Sequence, residues 1–248
     1  MCSQKINRLN ILNLEISKIL YSDLLNLIVK AIYKGEQITI TYANASTINL
    51  TLKDPKFKNA LGNIDYIHPD GIGVYLSSKF IYGANGFKNK ITGSDFYTEL
   101  IKLSKEKKYS FFFFGDKDKT LEKISVVNPD LKIKGFQNGF HYLNTDIIES
   151  INSSFADILL VGLGSPKQEE WIVQNRFMIN PKVIIAVGDG IKVFAGTKKR
   201  GPKIFQKLAL EWIVRLFFEP KRLWKRYIIG IPLFTFRIIK FKFSLKNT

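Results

Sequence analysis

Four consecutive phenylalanines, Phe111 to Phe114 in "YSFFFFGD", leave a strand without a solvent face, and "ADILLVGLG" (156 to 164) and "VIIAVGDG" (183 to 190) repeat the pattern. Strands apolar at every position are buried on both sides, which is the property of a parallel sheet sandwiched between helices. Three further β-rich runs, "ITITYAN" (38 to 44), "IDYIHPDGIG" (64 to 73) and "LKIKGFQNG" (131 to 139), join them. Helix-like stretches such as "SDLLNLIVKAIYKG", "GSDFYTELIKLSKEK" and "DKTLEKISVVN" lie in between. The alternation predicts an α/β fold, a Rossmann-like and mostly parallel sheet flanked by helices. With 248 residues and 46% apolar side chains the chain fills a sizeable core.

Ligands of such folds bind outside the carboxyl ends of the strands. The polar residues that close the runs are therefore candidates: Asn44, Asp70, Asp116, Gln137, Asn138, Ser165, Gln168 and Asp189. "GDGIKVFAG" and "GLGSPKQ" both fail the spacing of a dinucleotide fingerprint or a P-loop. In "GLGSPKQEEW", Ser165, Pro166 and Gln168 spell a capping box, with Ser at the N-cap, Pro at the first helical position and Gln at N3.

The single cysteine, Cys2, excludes an internal disulfide, and "MCSQKINRLN" carries no apolar signal region. The expected location is cytoplasmic. The formal charge of +17 is unevenly spread, for fourteen Lys and Arg face only Glu211 and Glu219 from Lys198 onward. The strand and helix rhythm stops near Gly196, which divides the chain into a body, 1–196, and a basic amphipathic appendage, 197–248. Its longest uncharged stretch, Tyr227 to Phe236, has ten residues, whereas crossing a bilayer takes roughly 20. Lys and Arg interleaved with Trp, Tyr and Phe suit contact with an anionic membrane surface. The competing reading packs the apolar stripe of Phe205, Leu208, Trp212 and Leu216 on the body. A nucleic-acid groove ranks below both, because the segment is too apolar for one lined by charge.

Six segments in order, "YAN", "HPDGIGVY", "ITGSD", "GLGSPKQEEWI", "AGTKKRGP" and "LEWIVRLFFEPKR", resemble the WecG/TagA/CpsF glycosyltransferases over nearly the whole chain. The resemblance implies inverting, metal-independent transfer from a UDP-sugar to an undecaprenyl-diphosphate-linked sugar, with no cofactor, at the inner face of the cell membrane. The product belongs to a cell-surface polysaccharide, and the sugar is of the N-acetylmannosamine type or a related hexose. It leaves a homo-oligomer open, and it gives no reason to expect nucleic acid as a partner. Some relatives of this kind are accessory subunits of another transferase, which is the alternative.

Residue by residue, the resemblance makes Asp70 the general base. Tyr42 occupies a position often held by a catalytic Thr, Asn44 contacts the nucleotide, and Gln168 reaches the donor diphosphate with Gly164 beside it. Lys90 replaces an Arg, keeping charge but losing the bidentate fork. Lys192 replaces an Asp, and Asp189 three residues earlier is the substitute carboxylate. Phe140 either stacks on uracil or belongs to the core. Arg200, Arg215, Arg222 and Lys225 match basic positions near the lipid diphosphate. His68 and His141 are expected in loops, too few for a metal site.

Overall fold

The computed structural model describes residues 6–198, 201 and 211–245. A hairpin of β1 (Arg8–Ile11) and β2 (Leu14–Ser17) comes first, turning through Leu12 and Asn13 at φ 53° and 63°. After α1 (Tyr21–Lys34) come β3 (Ile38–Ala43), α2 (Ala45–Thr51), α3 (Pro55–Gly62), β4 (Tyr66–Pro69), α4 (Ile72–Tyr82) and α5 (Gly93–Lys107). Then follow β5 (Ser110–Gly115), α6 (Asp118–Val127), β6 (Lys132–Gln137), α7 (Asn144–Ser154), β7 (Ile158–Gly162), α8 (Lys167–Asn175), β8 (Val183–Ala186) and α9 (Ile191–Phe194).

The strands β3 to β8 form one six-stranded sheet in the order β4-β3-β8-β7-β5-β6, and every pairing is parallel. The phenylalanine run shows why both faces are covered. Phe112 and Phe114 enter one apolar layer with Leu159, Val161 and Ile184, while Phe111 and Phe113 enter the other with Ile158, Leu160 and Ile185. Burying each such side chain contributes roughly 1.5–3 kcal/mol, so the central strands anchor both layers.

The carboxyl-terminal elements are α10 (Glu211–Phe218), α11 (Pro220–Trp224), a π-helical turn (Lys225–Ile229) and α12 (Gly230–Ser244). Phe234 and Ile238 of α12 join the core layer that holds Phe112. Asn49 of α2 donates to the Gly230 carbonyl at 2.8 Å, and Arg237 returns a bond to Asn49 Oδ1 at 2.7 Å. The apolar face of α12 therefore lies on α2 and α4, while Phe217, Trp224, Ile228 and Phe236 remain exposed beside Lys and Arg. Of the stripe read from the sequence, Phe205 and Leu208 lie outside the described residues, as does Arg200. Among the described residues no helix is long and apolar enough to cross a membrane.

Candidate active site

The carboxyl ends of β4, β3 and β8 open into a cleft of about 670 Å³. That is the size of a small-molecule site. Tyr42 and Asn44 come from the end of β3, Asp70 from the end of β4, and Asp189 from the turn after β8. Sheet order explains the selection: Asp116, Gln137 and Asn138 close β5 and β6 at the opposite edge and do not line the cleft. They serve their own loops instead, Asp116 accepting from Lys117 N–H and Thr120 Oγ1, and Asn138 donating to Asp118.

Asp70 is held by its surroundings. Its backbone N–H donates to the Ala43 carbonyl at 2.8 Å, and its Oδ1 accepts from Gly93 N–H, the first residue of α5, at 2.9 Å. The Asn44 amide donates to Asp70 Oδ2 at 3.4 Å. Asn44 Oδ1 meanwhile caps α2, accepting from Ser46 N–H at 3.0 Å and Thr47 N–H at 3.1 Å. One side chain thus ends a strand, starts a helix and faces the carboxylate.

Tyr42 is half-buried, and its phenol is pushed up to about 12 by burial first and the Glu169 carboxylate second. It stays a neutral hydrogen-bond donor. His68 is not a loop residue: it lies on β4, fully buried, with Nδ1 3.1 Å from the Pro69 carbonyl. Burial lowers its basicity more than Asp70 and Pro69 raise it, so the ring is neutral and fills the space between Tyr42 and Phe96. His141 is exposed beyond β6. Among the described residues no three His, Cys, Asp or Glu gather as a metal would require.

The cleft also has a cationic lining. Lys198, Arg215 and Arg226 form it, and Lys90 approaches from the segment before α5. Desolvation brings Lys198 down to about 8, with Arg215 adding to the effect, although Asp189 opposes both. Against the same desolvation Lys198 and then Lys192 hold the Asp189 carboxyl well below the usual carboxylate range. Another part of the lining is apolar, made by Leu76 and Phe80 of α4 and by Ile231, Phe234, Ile238 and Ile239 of α12.

Several expectations change in this geometry. Gln168 does not point into the cleft: it is fully buried, and its amide is occupied by Gly188 N–H at 2.8 Å, Glu169 Oε1 at 2.8 Å and Ser165 Oγ at 3.3 Å. There is no capping box either, since α8 starts at Lys167, Pro166 is its N-cap without a side-chain cap, and Ser165 Oγ donates to Glu169 at 2.9 Å. Gly164, at φ 77°, shapes the preceding turn and is not a cleft residue. Phe140 is 64% exposed, so it belongs to neither the core nor the cleft. Lys192 pairs with Asp189 at 2.9 Å outside the cleft lining. Arg222 pairs with Glu219 and Lys225 lies over the Trp224 ring, both solvent-facing; Arg226, one residue further on, takes the inward position. Among the described residues, Lys198, Arg226 and the buried Tyr97 of α5 line the cleft and were missed in the sequence. For Lys198 the signal was present in "AGTKKRGP", one of the six segments, and among the described residues of that segment Lys198 lines the cleft.

Fold and site together define an α/β protein with a small-molecule cleft at the carboxyl edge of a parallel sheet, where a carboxylate with an amide partner shares the lining with a set of cations. The chain belongs to the glycosyl transferase WecG/TagA/CpsF family, whose model matches residues 9–248. It is 32% identical over 205 residues to the N-acetylglucosaminyldiphosphoundecaprenol N-acetyl-beta-D-mannosaminyltransferase of Bacillus subtilis strain 168, covering 81% of this chain and 78% of the relative. The same-named protein of Bacillus spizizenii is 32% identical over 193 residues, covering 76% and 74%. That of Staphylococcus aureus strain MRSA252 is 28% identical over 212 residues, covering 84% and 82%.

Proposed function

We propose that this chain is an inverting glycosyltransferase that moves an N-acetylmannosamine-type sugar from a UDP-sugar to a sugar carried on undecaprenyl diphosphate. The observation that carries the reading is that Asp70 and Asn44 share one cleft with Lys198, Arg215 and Arg226. Asp70 acts as general base, taking the proton of the acceptor hydroxyl as its oxygen attacks the anomeric carbon and the UDP leaves from the other face. A positioned base contributes typically 10²- to 10⁴-fold. Gly93 N–H and Asn44 fix the carboxylate's orientation, so the acceptor hydroxyl approaches a lone pair already aimed at it.

The cations stabilise the negative charge that develops on the leaving diphosphate, which is the electrostatic half of catalysis. They supply it with no metal in the scheme. Tyr42 donates a neutral hydrogen bond at the cleft floor. The apolar wall between α4 and α12 suits the first isoprene units of the lipid, and the exposed aromatic and basic residues of α10 to α12 suit the headgroup layer of an anionic membrane. The test is incubation of the purified chain with a panel of UDP-sugars and a short-chain prenyl-diphosphate-linked N-acetylglucosamine, following UDP release. Release that requires both substrates supports the reading, whereas no release with any donor favours an accessory subunit.

A further inference from the structure

The carboxylate of Asp189 lines the cleft among three cations. Its Oδ2 receives Lys198 Nζ at 2.8 Å, its Oδ1 receives Lys192 Nζ at 2.9 Å, and Arg222 stands 3.8 Å away. Asp189 and Lys198 both line the cleft with Arg215, whereas Lys192 and Arg222 are not part of its lining. The Lys198 side chain is only 10% exposed, so its charge is weakly screened and a partner is needed.

The geometry points to Asp189 as a built-in competitor for the diphosphate of the cleft. Without ligand its carboxylate holds Lys198; a bound diphosphate takes Lys198 over, while Lys192 stays on Asp189 and keeps it paired. Two partners on separate oxygens make the exchange possible, because releasing one leaves the carboxylate still neutralised. Lys192, puzzling as a charge reversal, acquires a role as the partner that stays. The exchange lowers affinity by the strength of the internal pair and favours ligands with enough phosphate charge to displace a carboxylate. A monophosphate competes for Lys198 less well than a diphosphate. The choice of a diphosphate ligand rests on the glycosyltransferase reading; the ion pair does not.

The test is calorimetric titration of the full chain with two probes, UDP for the donor side and geranyl diphosphate for the lipid side. In Asp189→Asn, one probe should bind about 5- to 10-fold tighter, since Lys198 loses its ion pair, keeping only the 3.1 Å bond to the Asp189 backbone carbonyl, and a like charge is removed. Which probe gains identifies the diphosphate that uses Lys198. The gain should vanish in the double variant Asp189→Asn, Lys198→Gln. Unchanged or weaker affinity for both probes overturns the inference, and so does a gain that persists in the double variant. If Asp189→Asn fails to fold, Lys198→Gln alone decides: weakened binding of one probe supports the exchange, and full retention of both overturns it. Failure of the unsubstituted chain to bind either probe overturns the glycosyltransferase reading as well, whereas binding without the gain overturns only the exchange.

Discussion

The side-chain oxygen of Gln168 accepts a 2.8 Å hydrogen bond from the backbone N–H of Gly188, tying the start of α8 to the turn that carries Asp189. Gly188 sits at φ 50°, and a Cβ there would come within 2.7 Å of the Tyr42 hydroxyl. Tyr42, Gly188 and Gln168 therefore meet at a junction with no spare room, and Gln168 shapes the cleft from behind.

Gln168→Ala leaves the buried Gly188 N–H without a partner, which costs about 1–3 kcal/mol. Denaturant unfolding should show that loss, while UDP affinity of the folded fraction changes less than about tenfold. A variant as stable as the parent that has lost UDP binding shows direct contact instead.

Asn44 has two functions that substitution separates. Asn44→Ala removes the α2 cap, costing about 0.5–2 kcal/mol, together with the amide facing Asp70. Asn44→Asp keeps a capping oxygen but places a second carboxylate beside Asp70. Unfolding midpoints should fall less for Asp than for Ala, and turnover should fall at least as far for Asp. Full turnover in Asn44→Asp contradicts the pairing with Asp70.

Lys198, brought down to about 8, gives diphosphate binding a pH limit. It is a cation below that value and neutral above it, with Asp189, Arg215 and Asp70 as the charged groups acting on it. Affinity for the diphosphate should weaken as pH rises through about 8, and Lys198→Arg should flatten the profile. Because the folded value lies below the unfolded 10.5, the unfolded chain binds more protons between the two, so this group makes the fold more stable as pH rises through that window. An unchanged affinity profile in Lys198→Arg places the titrating group elsewhere.

Tyr42→Phe keeps the ring and deletes the donor. With the phenol pushed up to about 12, it is neutral throughout the working range. Turnover should fall with no shift of the pH profile, and stability should hold within about 1 kcal/mol. A displaced profile means the phenol itself exchanges protons.

The strands of the large sheet were legible because burial on both faces writes an uninterrupted apolar run, as in Phe111 to Phe114. The β1–β2 hairpin was not, for its four-residue strands turn through Leu12 and Asn13 with no glycine to mark the turn. In the site, Asn44, Asp70 and Asp189 were legible from their position at strand ends. Strand ends alone could not show that the edge order separates Asp116 and Gln137 from them. Lys225 was singled out by resemblance; in this chain it lies in a π-helical turn from which its neighbour Arg226 lines the cleft, a register that the sequence does not show. Gln168 was placed in the cleft by resemblance; its burial depends on Gly188, twenty residues away in sequence.

The most direct measurement compares Asp70→Asn with the unsubstituted chain, pairing UDP titration with UDP release from UDP-N-acetylmannosamine and a short-chain prenyl-diphosphate-linked N-acetylglucosamine. Asn can still accept from Gly93 N–H, so the cleft should keep its shape and bind UDP within about threefold. Turnover should drop about 10²- to 10⁴-fold. Turnover equal to that of the unsubstituted chain would contradict Asp70 as the base and, with it, the chemistry assigned to this cleft.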